Sequence, residues 1–282
     1  MLADYHVHTE FSDDSDYPLM DVCRDAAAGG LDEICITDHV DYGVKPEVEE
    51  YKRDPSCARI EDGMPIINVD YGRYFPALDE ARERFAPQLS VKTGMEFGVQ
   101  THTIPRYRAL FERYEKRWDF IILSIHQVGD REFWNGDFQR GRTQDEYNMA
   151  YYEELLSVVS RFEDWSVLGH LDLIKRYDPA GVWPFEKSRD IIAEILTRTI
   201  QAGKGIELNT SSFRYGLPDL TPCTEILRLY RDLGGRILTI GSDSHKPEHL
   251  GAHIPAVRDR LRALGYTKFC TFDAMEPVFH NM

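Results

Sequence analysis

Two histidines near the start of the chain, His6 and His8, have the spacing of metal ligands. One residue separates them in a short, apolar-flanked segment that is typical of a strand. Side chains at positions i and i+2 share one face of a strand, so the two imidazoles would converge. Neutral imidazoles are good ligands for zinc, manganese or iron. The pair alone is weak evidence, because two strand histidines can equally well hydrogen-bond to their neighbours.

Six further short apolar segments also end in polar or titratable residues. These ends are Thr37-Asp38-His39, Gly94-Met95-Glu96, Ser124-Ile125-His126, Gly169-His170-Leu171-Asp172, Glu207-Leu208-Asn209 and Gly241-Ser242-Asp243-Ser244-His245. A single histidine or aspartate at a strand end is usually a cap or a loop hydrogen-bonder. Successive ends of this kind indicate instead one shared site, built from the imidazoles and carboxylates that bind transition metals.

The segments that carry these residues alternate with longer amphipathic stretches, which is typical of βα units and a mostly parallel sheet. We predict strands at residues 3–8, 33–37, 90–97, 120–126, 166–171, 205–209 and 236–242, and helices at 19–28, 147–161, 188–202 and 221–233. Residues 41–64 and 129–145 lack periodicity and are predicted to be loops over one rim. Because the polar residues follow strands from the first unit to the last, we expect residues 1–282 to form a single α/β barrel with its site on the C-terminal rim.

Composition narrows the function classes. The formal charge of −15 argues against nucleic acid as a partner. No basic leader precedes His6 and no apolar run reaches the roughly 20 residues that span a bilayer, so we expect neither a signal peptide nor a membrane partner. The five cysteines have no CxxC spacing, which favours a reducing, cytoplasmic location over a disulfide framework. Neither composition nor motif defines an oligomeric state.

Taken together, these motifs resemble the PHP (polymerase and histidinol phosphatase) superfamily. That pattern includes an N-terminal His-x-His, a Thr-Asp-His, a lone Glu, two later His and a C-terminal Asp-x-His, and all occur here in order between His6 and His245. Residues 8–15 and 169–174 look most like the stand-alone histidinol-phosphate phosphatases. The resemblance implies a distorted (β/α)7 TIM-like barrel with a trinuclear metal centre.

When the motif positions are matched residue by residue, the resemblance also implies the ligands of three divalent metals. One metal would be held by His6, His8, Glu96 and Asp243, a second by His39 and His245, and a third by Glu96, His126 and His170. The second metal needs a further ligand from the loop after His8, where the chain offers Asp13 and Asp14 and the spacing favours Asp14. Zinc, manganese and iron all suit these ligand types.

Such a centre implies hydrolysis of a phosphomonoester. Clustered metals can lower the pKa of a bridging water, and the resulting hydroxide would attack the phosphorus in line without a protein nucleophile. Arginine is the natural planar donor to phosphate oxygens. Arg176 and Arg214 each follow a ligand-bearing strand end and are the predicted phosphate clamps, although either could form a surface salt bridge instead. Lys175 is the alternative clamp.

Other residues near the predicted site have more than one role open. Asp243 or His245 could protonate the leaving alkoxide as general acid. Glu207 and Asn209 could contact the substrate or orient metal ligands, and the second role is slightly favoured. His102 follows Glu96 closely enough to approach the substrate. The aromatic residues Phe133, Trp134, Tyr147, Tyr151 and Tyr152 could form a lid but are predicted to be packing.

The resemblance favours L-histidinol phosphate as substrate, hydrolysed to L-histidinol and phosphate in histidine biosynthesis. A phosphotyrosyl protein or a nucleotide is the alternative substrate on the same fold. A metal-dependent amidohydrolase also begins with His-x-His, but its usual metal-bridging lysine and lone late aspartate fit less well than Glu96 and Asp243-Ser244-His245. A structural or polymerase-associated module would need a degenerate ligand set or an appended domain, and we expect neither here.

Overall fold

A computed structural model describes residues 1–61 and 63–282 of the chain. The strands in this part are β1 (Ala3–Val7), β2 (Glu33–Ile36), β3 (His39–Val40), β4 (Ile60–Glu61), β5 (Met64–Pro65), β6 (Ser90–Gly98), β7 (Phe120–Ser124), β8 (Gln127–Val128), β9 (Arg131–Glu132), β10 (Val167–Leu168), β11 (Gly205–Asn209), β12 (Leu238–Gly241), β13 (Lys268–Asp273) and β14 (Glu276–Asn281). The α-helices are α1 (Leu19–Ala28), α2 (Val48–Arg53), α3 (Tyr71–Phe85), α4 (Ile104–Arg113), α5 (Gln144–Val159), α6 (Phe185–Gln201), α7 (Thr224–Asp232) and α8 (Ile254–Ala263). Among these helices, none has the length and apolarity needed to cross a bilayer.

Seven parallel strands form the central sheet, in the order β1-β2-β6-β7-β10-β11-β12, with β3 also pairing to β6. The two outer strands of this order approach each other again. His8 N donates to the Ser244 carbonyl at 2.8 Å, and Ser244 N donates to the His6 carbonyl at 3.2 Å. The sheet is therefore nearly closed into a barrel surrounded by helices, and the predicted seven-stranded α/β barrel is confirmed.

The barrel strands are buried along their length, as expected for a parallel sheet covered by helices. Because the strands run parallel, their C-terminal ends lie on the same rim. In β1 the pairing with β2 shifts between Asp4 and Val7, so that β1 has one residue more than its partner there. A bulge of this kind redirects side chains locally. Here it lies immediately beside His6, the first candidate ligand.

The opposite end of the barrel is closed by aromatic side chains. The Phe120 ring lies 5.0 Å from the rings of both Tyr5 and Phe272, measured between centroids. Phe272 belongs to the β13–β14 hairpin, and its backbone N–H donates to the Tyr5 hydroxyl at 2.8 Å. All three rings are at most 2 % exposed, so they fill the interior at this end of the barrel.

The seam between β1 and β12 is held by a buried carboxylate, Asp4. It accepts hydrogen bonds from Ser242 N at 2.8 Å, Ser242 Oγ at 2.5 Å and Gly251 N at 2.8 Å. Burial raises the pKa of Asp4 despite these donors. Asp4 thereby fixes the backbone that leads into Asp243.

We expect Asp4→Ala to lower the free energy of unfolding by about 3 kcal/mol, because buried N–H groups of Ser242 and Gly251 lose their acceptor. Denaturant unfolding of the two proteins measures the difference. Asp32→Ala is the control, since Asp32 is exposed, and its effect should stay within about 0.5 kcal/mol. A loss below 1 kcal/mol for Asp4→Ala would show that the seam does not depend on this carboxylate.

The predicted strands all form, although some are shorter than predicted. Strand β10 stops at Leu168 because Gly169 is followed by His170 with a φ of 22°, which ends the extended backbone. The segments predicted as loops lie partly on the rim, but they also contain α2, β4, the first residue of β5, β9 and the start of α5. Asp62, within the first of these segments, lies outside the described residues.

Candidate metal centre and active site

Glu96, near the C-terminal end of β6, is the centre of the candidate site. Its side chain is fully buried. Oε1 lies 2.8 Å from His170 Nε2 and 3.1 Å from His126 Nε2. Oε2 lies 3.1 Å from His6 Nε2, 3.1 Å from His39 Nδ1 and 3.5 Å from His8 Nε2. One carboxylate thus faces five imidazoles that come from four strand ends, because His6 and His8 both belong to the end of β1.

A second group of imidazoles lies on one side of this centre. The His8 ring stacks between the rings of His39 and His245, with centroid distances of 4.3 and 4.1 Å. Asp14 Oδ2 lies 3.1 Å from His245 Nε2 and 3.5 Å from His39 Nε2. Asp13 faces elsewhere, with Oδ1 2.5 Å from Lys45 Nζ. Of the two loop aspartates, the structure brings Asp14 to the imidazoles.

Asp243 joins the two groups. Its Oδ1 lies 3.8 Å from His6 Nε2 and 3.6 Å from His8 Nε2. Its backbone has a φ of 56°, in the left-handed region that non-glycine residues seldom occupy. Strain of this kind is kept where the surrounding structure fixes a functional side chain. Hydrogen bonds to Ser242 on one side of Asp243 and the β1 bridge at Ser244 on the other fix this conformation.

The donor set fits divalent metals. Within the described residues, the buried atoms His8 Nε2, His39 Nδ1 and His170 Nδ1 have no hydrogen-bond partner. Two of them, His8 Nε2 and His39 Nδ1, face the Glu96 carboxylate. Unpaired buried nitrogens are costly unless something else engages them. A mixed set of imidazole and carboxylate ligands suits zinc, manganese or iron.

Electrostatics hold Glu96, Asp243 and His8 in ligand-competent forms, whereas the surrounding carboxylates outweigh burial and raise the pKa of His39 to about 9 and that of His126 to about 10. Burial opposes ionisation of Glu96, but His6 and His126 outweigh it and hold the pKa of this carboxyl well below its usual range. For Asp243, burial is outweighed by His6 and two guanidinium groups, which lower its pKa well below the usual range. Burial, together with the neighbouring imidazoles, holds the pKa of His8 well below the usual histidine value. Ionised carboxylates and a neutral His8 are the forms that bind metals.

Glu207 lies behind the ligands, not in the open cavity. Its Oε1 is 2.5 Å from His6 Nδ1, and its Oε2 accepts from His170 N at 2.8 Å and from Asn209 Nδ2 at 3.2 Å. A carboxylate on the outer nitrogen of a ligating histidine fixes its tautomer and orientation. The structure therefore gives Glu207 and Asn209 a positioning geometry, and neither residue lines the cavity above the centre.

We expect Glu207→Gln to weaken metal binding by about 10- to 100-fold, because the charge that orients His6 is lost. Chelator competition on the reconstituted protein measures the affinity. Glu33→Gln is a matched control, since Glu33 is also a buried strand carboxylate but contacts Tyr5 and Ser90 away from the rim. Equal affinity in both variants would contradict the positioning role.

Sequence reasoning missed two aspartates of the segment after β2. Asp41 Oδ1 lies 2.8 Å from His126 Nδ1, and its Oδ2 lies 2.9 Å from Lys45 Nζ. Asp38 accepts from Thr9 N, Thr9 Oγ1 and Ser12 Oγ at 2.6 to 2.8 Å. Alternation from His39 places Asp41 on the same face, which is the signal that could have identified it. Asp38 supports the ligand-bearing loop after β1.

Both predicted arginine clamps point at the centre. Arg176 Nη2 donates to Asp243 Oδ2 at 3.3 Å and to Ser211 Oγ at 2.5 Å. The Arg214 guanidinium donates to the carbonyls of Ser242 and Asp243 at 2.7 and 2.6 Å. Lys175 instead faces away, with Nζ donating to Asp172 Oδ2 at 2.6 Å.

A cavity of about 360 Å³ opens above the centre. Arg176 and all the candidate ligands except His6 and His8 line it, together with Arg59, Glu132 and Trp134. Trp134 is 56 % exposed, so the prediction that it is packing is wrong, whereas Phe133, Tyr147, Tyr151 and Tyr152 are buried packing residues. His102 does not line this cavity; its half-exposed ring lies 3.1 Å from Asp130.

The comparisons with known proteins agree with this geometry. A family model of the PHP domain matches residues 4–211. Histidinol-phosphatase of Lactococcus lactis is 29% identical over 283 residues, covering 97% of this chain and 95% of the relative. A crystal structure of histidinol phosphate phosphatase from Lactococcus lactis, complexed with zinc, L-histidinol and phosphate, superposes with a TM-score of 0.83 at 27% identity. It covers 98% of each chain.

Proposed function

The chain belongs to the PHP domain family, and from this membership we propose that it hydrolyses L-histidinol phosphate to L-histidinol and phosphate. The observation that carries the proposal is the convergence of five imidazoles and two arginines on the Glu96–Asp243 pair. The same barrel in a relative holds zinc, L-histidinol and phosphate. Fold alone would not define the reaction, but this set of side chains matches phosphomonoester chemistry.

Three divalent metals are the proposed cofactors, with zinc, manganese and iron as candidates. His6, His8, Glu96 and Asp243 would hold the first, His39, His245 and Asp14 the second, and Glu96, His126 and His170 the third. When bound, such a cluster supplies Lewis acidity and an activated water for in-line attack on phosphorus.

Arg176 and Arg214 are the proposed phosphate-binding residues. Both guanidinium groups lie beside Asp243, at 3.3 and 3.4 Å from its Oδ2, and Arg176 lines the cavity. Planar guanidinium groups match the oxygens of a phosphate dianion and keep their charge at all relevant pH values. The two side chains would orient the phosphoryl group and offset the charge that develops during attack.

The leaving alkoxide requires a proton, and two side chains of the cavity wall are the proposed donors. His245 Nδ1 and Asp243 Oδ1 lie 3.6 Å apart, so either group is near the same reacting region. Of the two, Asp243 is held ionised by its cationic neighbours, which makes it a weak acid catalyst while those contacts persist.

The cavity also suits the cationic, ring-bearing leaving group. Trp134 exposes its indole there, and the guanidinium of Arg59 lies 5.8 Å from its ring. Glu132 also lines the cavity, and its carboxylate accepts from Arg59 at 2.9 and 3.2 Å. An imidazole can stack on the indole while a carboxylate attracts the ammonium.

We expect Trp134→Ala to raise KM for L-histidinol phosphate by about 2- to 12-fold, which is the value of one aromatic pair. In the same variant, KM for glycerol phosphate, which has no ring, should not change. Trp134→Phe keeps an aromatic ring, so its KM for L-histidinol phosphate should stay close to that of the wild type. An equal rise in KM for both esters would show that Trp134 does not contact the ring.

The deciding experiment is kcat/KM for L-histidinol phosphate on manganese- or zinc-loaded protein, beside a phosphotyrosyl peptide and a nucleoside monophosphate. We expect about 10⁴ M⁻¹s⁻¹ or more for L-histidinol phosphate, within the ordinary enzyme range. The panel should be at least tenfold slower. Weak, equal rates on every ester would keep a metal phosphoesterase and overturn the substrate. No hydrolysis by metal-loaded protein would overturn both.

A further inference from the structure

A second cavity of about 270 Å³ lies outside the barrel, between α6, α7 and the segment that follows β10. Its apolar lining comes from aromatic and aliphatic side chains, namely Tyr152, Val182, Trp183, Phe185, Ile192 and Ile226. Its volume is close to the lower end of the range for small-molecule pockets. It shares no lining residue with the cavity above the metal centre.

The charge of this cavity is predominantly negative. Asp172, Glu186, Asp219 and Glu225 line it, against one cation, Lys175. Asp219 caps α7 through Thr224 and pairs with Arg260, but Glu186 and Glu225 are exposed carboxylates at the opening. An excess of carboxylates beside an apolar wall favours a ligand that is both cationic and apolar.

Asp172 gives the cavity a specific acceptor. The residue is 3 % exposed and lines the cavity. Its Oδ2 accepts from Lys175 Nζ at 2.6 Å and from Cys223 N at 2.9 Å, whereas its buried Oδ1 has no hydrogen-bond partner among the described residues. A buried carboxylate oxygen without a donor is costly, so a donor from a bound molecule would be favourable.

We propose that this cavity binds an organic cation, a primary ammonium on a flat or branched apolar body. The ammonium pairs with the Asp172 carboxylate, and the body packs against Trp183 and Ile192. The proposal depends on neither the metals nor the hydrolytic reaction, so its failure would leave the proposed function unaffected. Asp172 also bonds Lys175, the neighbour of Arg176, so an occupant would lie three contacts from the proposed phosphate clamp.

The test uses phenethylamine as probe and 2-phenylethanol as its uncharged counterpart of the same shape, titrated into metal-loaded protein by calorimetry and tryptophan fluorescence. We expect saturable binding of the amine and at least tenfold weaker binding of the alcohol, the value of a charge-assisted hydrogen bond. Trp183→Phe should remove the fluorescence change and keep the calorimetric binding. Equal affinity for both compounds overturns the proposal. So does the absence of amine binding at 10 mM, because one such bond and one apolar face would give at least roughly that affinity.

Variants locate the ammonium. Asp172→Asn should weaken amine binding at least tenfold, and Glu186→Gln combined with Glu225→Gln should weaken it about two- to fivefold. The double variant changes only exposed side chains, so it keeps the test decisive if Asp172→Asn fails to fold. Glu194→Gln on α6, outside the cavity, is the matched control and should bind as the wild type does. A fluorescence change that survives in Trp183→Phe would place the probe near another tryptophan and overturn the assignment.

Discussion

Glu96→Gln is expected to lower kcat/KM by about 10³-fold or more, at the upper end of the loss from removing one electrostatic group in an active site. The reason is geometric, because the two carboxylate oxygens of Glu96 lie within 3.5 Å of nitrogens from five histidines. An amide at this position keeps the shape, removes the negative charge and presents an NH₂ group to at least one of the nitrogens. We therefore expect the variant to bind less metal as well.

The measurement pairs steady-state kinetics with metal content per chain after dialysis. Glu33→Gln makes the same chemical change at a buried strand carboxylate on a different part of the barrel. It should keep wild-type metal content, so it separates loss of the centre from loss of fold. If Glu96→Gln retained full metal and activity, the proposed bridging role would be wrong.

Arg176→Ala is expected to lower kcat/KM by about 10²- to 10³-fold, because a buried donor to the phosphoryl oxygens is removed. The Arg176 guanidinium is held in place by Ser211 and by the Tyr215 ring 4.1 Å from it, so it is already oriented before substrate binds. Arg176→Lys keeps one charge but loses the planar, bidentate geometry. The kcat/KM of Arg176→Lys should therefore exceed that of Arg176→Ala by less than about tenfold.

Inhibition by inorganic phosphate gives an independent measurement for the same variants. If Arg176 binds the phosphoryl group, the inhibition constant should rise in parallel with the loss of kcat/KM. Arg82→Ala is the control, because Arg82 is also partly buried but binds Asp119 and Thr93 far from the cavity. A normal phosphate inhibition constant in Arg176→Ala would assign the phosphate to other residues.

The barrel strands could be predicted because each combines an apolar run with a polar end. Other elements lacked such a signal. Helix α3 contains Gly72 and Pro76, two residues that normally disfavour a helix interior. The β13–β14 hairpin turns at Ala274 and Met275, both with positive φ, where Asn-Gly would have been the recognisable sequence. These two elements are therefore stabilised by tertiary packing and not by the local conformational preferences of their residues.

The candidate ligands could be predicted for a related reason, since parallel strands bring their ends to one rim. Residues that act on ligands from behind were harder to identify. Asp41 approaches His126 from a segment 85 residues away, and only the folded barrel brings them together. The exposure of Trp134 likewise depends on a short hairpin, because its neighbour Phe133 has the same aromatic character and is buried.

The meeting of β1 with Ser244 has a consequence for how the protein is made. His6 and His8 are synthesised more than 230 positions before Asp243 and His245. At bacterial and eukaryotic elongation rates this interval lasts roughly 12 to 47 s. Throughout it the nascent chain carries exposed histidines with an incomplete set of partners. Metal acquired in that period would meet only part of the proposed ligand set, so we expect the complete set to form only after the barrel has closed.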